Sequence, residues 1–242
     1  MQFQDRAIII SATKYGESSL IVKLLTENNG LYSGLVRSVR KNNSICQVGN
    51  IVSANWKARL EEHLGFFTIE LEKSVASDIF TDSLKLSALI SACEIIKSTL
   101  PEREPHKEFF DVFYELLISM RSDEAIWLEK YVLFELELLK YTGFGLDISS
   151  CADTGAHDDL TYVSPKSARA VCETSGRPYH DKLLPLPSFL QQLSDKTQAD
   201  IAEIIDGMKL TGYFLNRYIF AQNNKKTPES RARFVKNILK RA

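Results

Sequence analysis

The sequence predicts an α+β chain, in which five short strands close into a small barrel and a mainly helical region with an irregular insert follows. Three observations carry this. Up to about residue 76, apolar residues come in short runs with turn chemistry between them. From about Ser77 they recur at helical spacing instead. Between about 144 and 187 neither period holds, and Gly, Asp, Ser, Pro and Thr dominate. A change of period along a chain is the primary secondary-structure signal.

The strands are expected at Arg6–Thr13, Ser19–Thr26, Leu31–Arg37, Asn50–Ala58 and Gly65–Lys73. In the last of these Phe67, Ile69 and Leu71 alternate with polar neighbours, the pattern of a half-buried strand. Asn29-Gly30 is a hairpin signal, because both residue types accept the positive φ of a tight turn. Five short antiparallel strands in so little chain favour closure, which removes the exposed sheet edges.

Past Ser77, Leu89, Cys93, Ile96 and Leu100 fall on one helical face, and Phe109, Phe113, Leu116, Leu117 and Met120 on another. Ala125–Tyr141 carries two apolar stripes, one of Leu128, Val132, Leu136 and Leu139, the other of Trp127, Tyr131, Phe134 and Leu138. A helix apolar on two sides belongs in the middle of a bundle. Gly143 and Gly145 stop it. In the insert only Leu160–Val163 reads as a strand. Helical spacing returns over Thr197–Gln222, and a last helix starts at Thr227-Pro228-Glu229, with Thr227 as the N-cap. The division expected is therefore a nucleic-acid-binding barrel at 1–76 and a helical domain at 77–242.

At 242 residues with 44% hydrophobic content the chain has material for two modest cores and is not a disordered one. No run approaches the roughly 20 apolar residues of a bilayer span. The start, Met-Gln-Phe-Gln-Asp-Arg, lacks a basic region and a long apolar stretch, so a cytoplasmic protein with reduced Cys46, Cys93, Cys151 and Cys172 is expected. Net charge is −1, so any case for nucleic acid rests on where the charges lie.

Catalytic motifs are absent: there is no phosphate-binding glycine loop, no nucleophile elbow and no histidine pair at helical spacing. An enzyme is not expected, and no cofactor either. His63, His106, His157 and His180 are scattered and read as surface residues. Three clusters remain. Arg37, Arg40 and Lys41 end a strand and enter a loop, and with Lys14, Tyr15, Tyr32, Trp56, Lys57 and Arg59 they supply cations and aromatics. Barrels of the oligonucleotide-binding (OB) kind hold phosphates with such cations and stack bases on such aromatics. The alternative reading is a solvated loop with the aromatics buried inside the barrel.

The second cluster is basic. Residues 209–242 hold nine bases against one acid, whereas 94–139 hold eleven acids and five bases. Such segregation either binds the two segments to each other or leaves a basic face for an acidic partner. Arg217, Lys225, Lys226 and Arg231 are the candidates, chosen by charge alone. The third is Cys151-Ala-Asp-Thr154 with Cys172-Glu-Thr-Ser175, the layout of a four-cysteine zinc site that lacks half its ligands. His157 and His180 complete it only at unusual spacing, so no metal is expected.

Two stretches give the chain a family resemblance. One is Ala7 to Thr26 with its Tyr15-Gly16-Glu17 turn, followed by Gly30 and the basic Arg37, Arg40 and Lys41. The other is Lys140-Tyr-Thr-Gly143-Phe-Gly145-Leu-Asp147 leading to Cys151. Together they resemble the RecO family of bacterial DNA-repair proteins, in order along nearly the whole chain. The resemblance implies an N-terminal OB-type barrel and a C-terminal helical domain. It also implies single-stranded DNA binding, strand annealing and loading of the recombinase RecA alongside RecR, with contact to the acidic C-terminal tail of the single-strand-binding protein. It places the chain in the cytoplasm at the nucleoid. Some members carry a Cys-x-x-Cys pair twice in the insert. Here only the first cysteine of each pair stands, and the runs Asp159 to Ser167 and Gly176 to Tyr179 are similar to the zinc-free form common in alphaproteobacteria.

Two rivals differ in class. In one, the chain is a protein-binding scaffold whose barrel never touches DNA, which single-strand binding at two salt concentrations would distinguish. In the other, the insert hides a hydrolase or transferase, but it offers no nucleophile–base pair.

Overall fold

The computed structural model describes residues 1–37, 44–60, 62–122, 124–191 and 198–241. The chain forms two compact units, Met1–Asp123 and Glu124–Ala242.

In the first unit, β1 (Gln2–Tyr15), β2 (Ser19–Thr26), β3 (Gly30–Arg37), β4 (Ile51–Lys57) and β5 (Phe66–Lys73) form a closed barrel in the order β1-β2-β3-β5-β4. β1 serves two neighbours: Gln2 to Ile8 pair with β4, and Ala7 to Tyr15 with β2. A register shift between Ile9 and Ser11 lets one long strand bend between them. Closure comes from β3 and β5, which run parallel and meet at Leu35 and Phe66. Ala7, Ile9, Val22, Leu24, Val52, Ala54 and Ile69 fill the interior. The alternation along the strands explains this, since every second side chain points inward.

The β2–β3 hairpin forms, but its asparagines play another part than expected. Only Gly30 takes a positive φ, +86°, and a Cβ there would overlap the Glu104 carbonyl oxygen. The asparagines act as donors instead. The buried Asp5 carboxylate accepts the Asn28 backbone N–H at 2.8 Å and the side-chain amides of Asn28 and Asn29 at 2.9 and 2.7 Å.

After the single turn α1 (Val75–Asp78), α2 (Ser83–Thr99) and α3 (Lys107–Ser119) belong to this same unit. Asp82 caps α2 by accepting from Leu84 and Lys85 N–H. The segment is fastened to the barrel by Arg103 N–H donating to Leu31 O at 2.9 Å and by the ion pairs Lys23–Glu102 and Lys107–Glu27, both 2.8 Å. The switch from strand to helix period near residue 77 and the division between compact units near 123 therefore fall at different places.

In the second unit α4 (Trp127–Tyr141) is buried along both predicted stripes except at the half-buried Leu136, and Gly143 follows its end at φ +85°. The insert holds more strand than expected: β6 (Leu160–Val163) lies between β7 (Ala170–Cys172) and β8 (Leu184–Pro185) in a three-stranded sheet. The short turn α5 (Glu173–Gly176) follows β7. α6 (Ile201–Phe214) continues as a π-helical turn, Leu215–Phe220, and α7 (Glu229–Leu239) closes the chain. Thr227 is not its cap. That position falls to Pro228, and the Thr227 hydroxyl lies 3.4 Å from Asn216 Oδ1. Among the described residues no helix is long and apolar enough to cross a membrane.

Candidate nucleic-acid interface

Strand register sets the predicted residues in two groups that adjoin at the barrel's closure. Tyr15 at the end of β1 pairs with Ser19, and Ser19 pairs with Arg37 at the end of β3. Across the closure, Phe66 at the start of β5 pairs with Leu35 and also with Lys57, the last residue of β4. Lys57 in turn pairs with Gln2, at the opposite end of β1 from Tyr15. Lys14, Tyr15, Arg37, Lys57 and, just beyond β4, Arg59 are all exposed. Arg40 and Lys41 lie outside the described residues. Glu17 and Glu62 are exposed on the adjoining turn and connector, so neither group is purely basic.

The aromatics divide differently from the prediction. Tyr32 and Trp56 are buried and cannot serve as base platforms. With Phe3 they form a triad inside the barrel, with ring centroids 4.9 to 5.5 Å apart. Trp56 also has a fastening role, because its indole N–H donates to Leu64 O at 3.3 Å and holds the β4–β5 connector. Gly65 beside it has φ +68°, and a Cβ at that position would run into the indole ring. The exposed platforms are Tyr15, 58% exposed, and Phe66, 47% exposed, with the Arg37 guanidinium 4.6 Å above the Phe66 ring. Phe66 was missed by the sequence reading. The alternation that put Phe67, Ile69 and Leu71 on one face puts Phe66 on the other, and an outward Phe at a strand start was the available signal.

The basic candidates of the second unit part company. Lys225 and Lys226 are exposed. Arg217 is exposed as well, donating to Tyr213 Oη at 2.8 Å and Pro165 O at 3.0 Å, with its guanidinium 5.4 Å from the Tyr218 ring centre. Arg231 corrects the expectation of a basic rim. It is buried, donating from Nε and Nη2 to the two oxygens of the buried Glu135 carboxylate at 2.7 and 2.8 Å, and to Met208 O at 2.9 Å. Burial would lower the Arg231 pKa, but the Glu135 charge outweighs it and the net direction is upward. Of the two readings of the charge segregation, mutual pairing holds for this residue.

In the insert, Cys151 and Cys172 are both free thiols and lie side by side, Sγ to Sγ 3.3 Å. Around them stand hydroxyls: Thr154 at 3.8 Å and Thr174 at 3.4 Å from Cys172 Sγ. Hydrogen bonds from Thr174 and Ser175 pull the Cys172 thiol down to about 6. His157 is engaged with Ser149 O at 2.8 Å, and His180 with Arg177 O and Asp181. Two thiols with neutral hydroxyls do not fit zinc, which takes four strong Cys or His donors at a structural site. Among the described residues, no three His, Cys, Asp or Glu side chains converge as a metal site. His106, expected at the surface, is buried, and its burial lowers its pKa.

The family descriptions "Recombination protein O N terminal" and "Recombination protein O C terminal" match residues 1–75 and 81–228. The chain belongs to the RecO family. It is 41% identical to the DNA repair protein RecO of Rhodospirillum centenum over 239 residues, covering 97% of this chain and 94% of that one. It is 42% identical to the DNA repair protein RecO of Rickettsia akari over 240 residues, covering 99% of each. Both family descriptions thus fall in order on the barrel and on the region beyond it, as the sequence resemblance implies.

Proposed function

We propose that the chain acts in DNA repair and recombination by binding single-stranded DNA across the barrel rim, annealing complementary strands, and helping RecR to load RecA. Membership of the RecO family supports the repair role. The observation that supports the DNA site is the exposed Arg37 guanidinium over the exposed Phe66 ring at the closure, with Tyr15 reached from Arg37 through Ser19 and Lys57 paired with Phe66. Cations there replace the counterions of the phosphates, and exposed rings stack bases without regard to sequence. The chain is then a mediator and not an enzyme: it holds strands and proteins together and breaks no covalent bond.

Titrating a labelled oligothymidylate at several salt concentrations tests this. Changing Arg37, Lys57 and Arg59 together to Ala should lower the slope of log affinity against log salt by about 2, at roughly 0.7 per lost phosphate contact. The melting temperature should hold, because exposed charges contribute little to stability. An unchanged slope removes the site from this rim, and no single-strand binding by the parent chain favours the scaffold reading.

For the partner, Arg217, Lys225 and Lys226 are the exposed bases of the second unit that suit the acidic tail of the single-strand-binding protein. Reversing their charge should weaken binding of that tail peptide, more so at low ionic strength, and leave oligothymidylate binding nearly unchanged. Loss of melting temperature with intact peptide binding would assign these bases to the fold.

A further inference from the structure

We propose that Cys151 and Cys172 are a modification site, a dithiol that hydrogen peroxide converts to an intramolecular disulfide closing the insert. The two sulfurs come from positions 21 residues apart and end 3.3 Å from each other. A disulfide needs about 2.05 Å, so about 1.3 Å of closure completes the bond. The backbone already holds both ends. Cys151 N–H donates to Ala156 O at 2.7 Å, Ala152 N–H to Ala170 O at 2.8 Å, and Cys172 N–H to Cys151 Sγ at 3.3 Å.

The surroundings favour reaction at this pair over the other thiols. Cys151 and Cys172 are only 1% and 4% exposed, yet Thr154 of the turn 152–155, whose residues are all exposed, lies 3.8 Å from Cys172 Sγ. Small motion of that turn admits a molecule the size of peroxide. Thr154, Thr174 and Ser175 stabilise a thiolate, the nucleophilic form. Cys46 lies in the barrel core and Cys93 inside α2, where burial pushes both thiols up.

The chemistry balances. The Cys172 thiolate attacks one peroxide oxygen and the O–O bond breaks, giving a sulfenic acid and a hydroxide that takes up the proton released on thiolate formation. The Cys151 sulfur then attacks the Cys172 sulfur, the S–S bond forms, and hydroxide leaves and is protonated by the Cys151 thiol proton. Two thiols are oxidised by two electrons, and one peroxide is reduced to two waters. The product ties the end of β7 to the turn before β6 and so restricts the unfolded insert.

The test treats the full reduced chain with hydrogen peroxide, with and without prior incubation with a chelator, then quenches with an alkylating reagent and maps the peptides by mass. The expected result is loss of two of the four thiols and a mass lower by two hydrogen atoms. A Cys151–Cys172 cross-linked peptide and a melting temperature higher by several degrees, on the order of 5 °C, complete it. Cys172→Ser should abolish the cross-link and leave Cys151 alkylated. Added oxygen on Cys172 without a cross-link, pairing with Cys46 or Cys93, or four intact thiols would each overturn the proposal. So would thiols that react only after the chelator, which would give the pair to a metal. Mapping of the parent chain decides the matter even if the variant does not fold.

Discussion

The two units use the same kind of side chain for opposite ends. At the barrel rim, Arg37 stands at the last position of a strand, exposed, with its guanidinium over a half-exposed ring. In the second unit Arg231 stands two residues into α7, buried, with its guanidinium locked to Glu135. Both are arginines in basic stretches of sequence, and charge counting ranks them alike. What separates them is the register of the element. The strand end leaves a side chain in water, where it keeps its hydration and can trade counterions for phosphate. The inward face of a helix strips that hydration away, and only a matched carboxylate makes the burial tolerable. A cation in water keeps most of its hydration, whereas Arg231 has exchanged its own for the Glu135 carboxylate.

The strongest way to break this comparison is Arg231→Ala. Removing one partner leaves the Glu135 charge buried and unpaired, and a loss of about 3–5 kcal/mol is expected. Urea denaturation followed by far-UV circular dichroism measures it, and Arg37→Ala in the same assay should stay within about 0.5 kcal/mol. Replacing both Arg231 and Glu135 with apolar residues of similar volume should recover much of the loss. Equal effects at Arg37 and Arg231 would sink the distinction.

Much of the architecture was legible before the structure. The strand runs, the two stripes of α4 and the stop at Gly143 follow from local spacing and turn chemistry alone. Several of the errors share one cause, which is that contacts distant in sequence were invisible. Glu135 sits between two apolar stripes of its own helix, and its partner lies 96 residues away. Trp56 meets Phe3 as its cross-strand partner 53 residues on, and Tyr32 reaches both across the barrel interior. Asn28 and Asn29 find Asp5 on a strand 23 and 24 residues earlier. For the candidate site, the cations at the strand ends were legible as residues, but which of them adjoin, and that Arg37 lies over Phe66, required the register.

A smaller effect sharpens the aromatic half of the comparison. Phe66→Ala should weaken oligothymidylate binding about tenfold, from loss of one stacked base, and leave the barrel's stability nearly unchanged. Binding measured by fluorescence anisotropy and stability measured on the same variant separate the two. Trp56→Ala should do the reverse, costing about 3–5 kcal/mol of stability. An affinity unmoved by Phe66→Ala would leave the rim to electrostatics alone.

The smallest effect contrasts thiols. Cys172, pulled down to about 6 by hydroxyl donors, should be labelled by iodoacetamide with a rate that rises through pH 6 and levels off above it. Cys46, pushed up to about 11 by burial, should stay unlabelled in the folded chain over that range. Because the Cys172 thiolate is favoured by folding, its contribution to stability is complete above the unfolded thiol's pKa and is lost as pH falls through about 6. Labelling of both thiols at one rate would mean that unfolding of the chain, and not thiolate character, sets the rate.

The closure of the barrel has a consequence for its motion. β1, β2 and β4 are joined by long ladders, but among the described residues β3 meets β5 at one pair, Leu35–Phe66, with Leu35 N–H donating to Gly65 O at 3.0 Å. A cylinder breathes where its wall has fewest fastenings, so this seam opens while the ladders stay shut. The Leu35 amide should then trade its proton with deuterated solvent sooner than the Val22 or Leu24 amides. A strand of DNA lying over Arg37 and Phe66 would span both lips of that seam, and its arrival would slow the exchange at Leu35 before it slowed any other barrel amide.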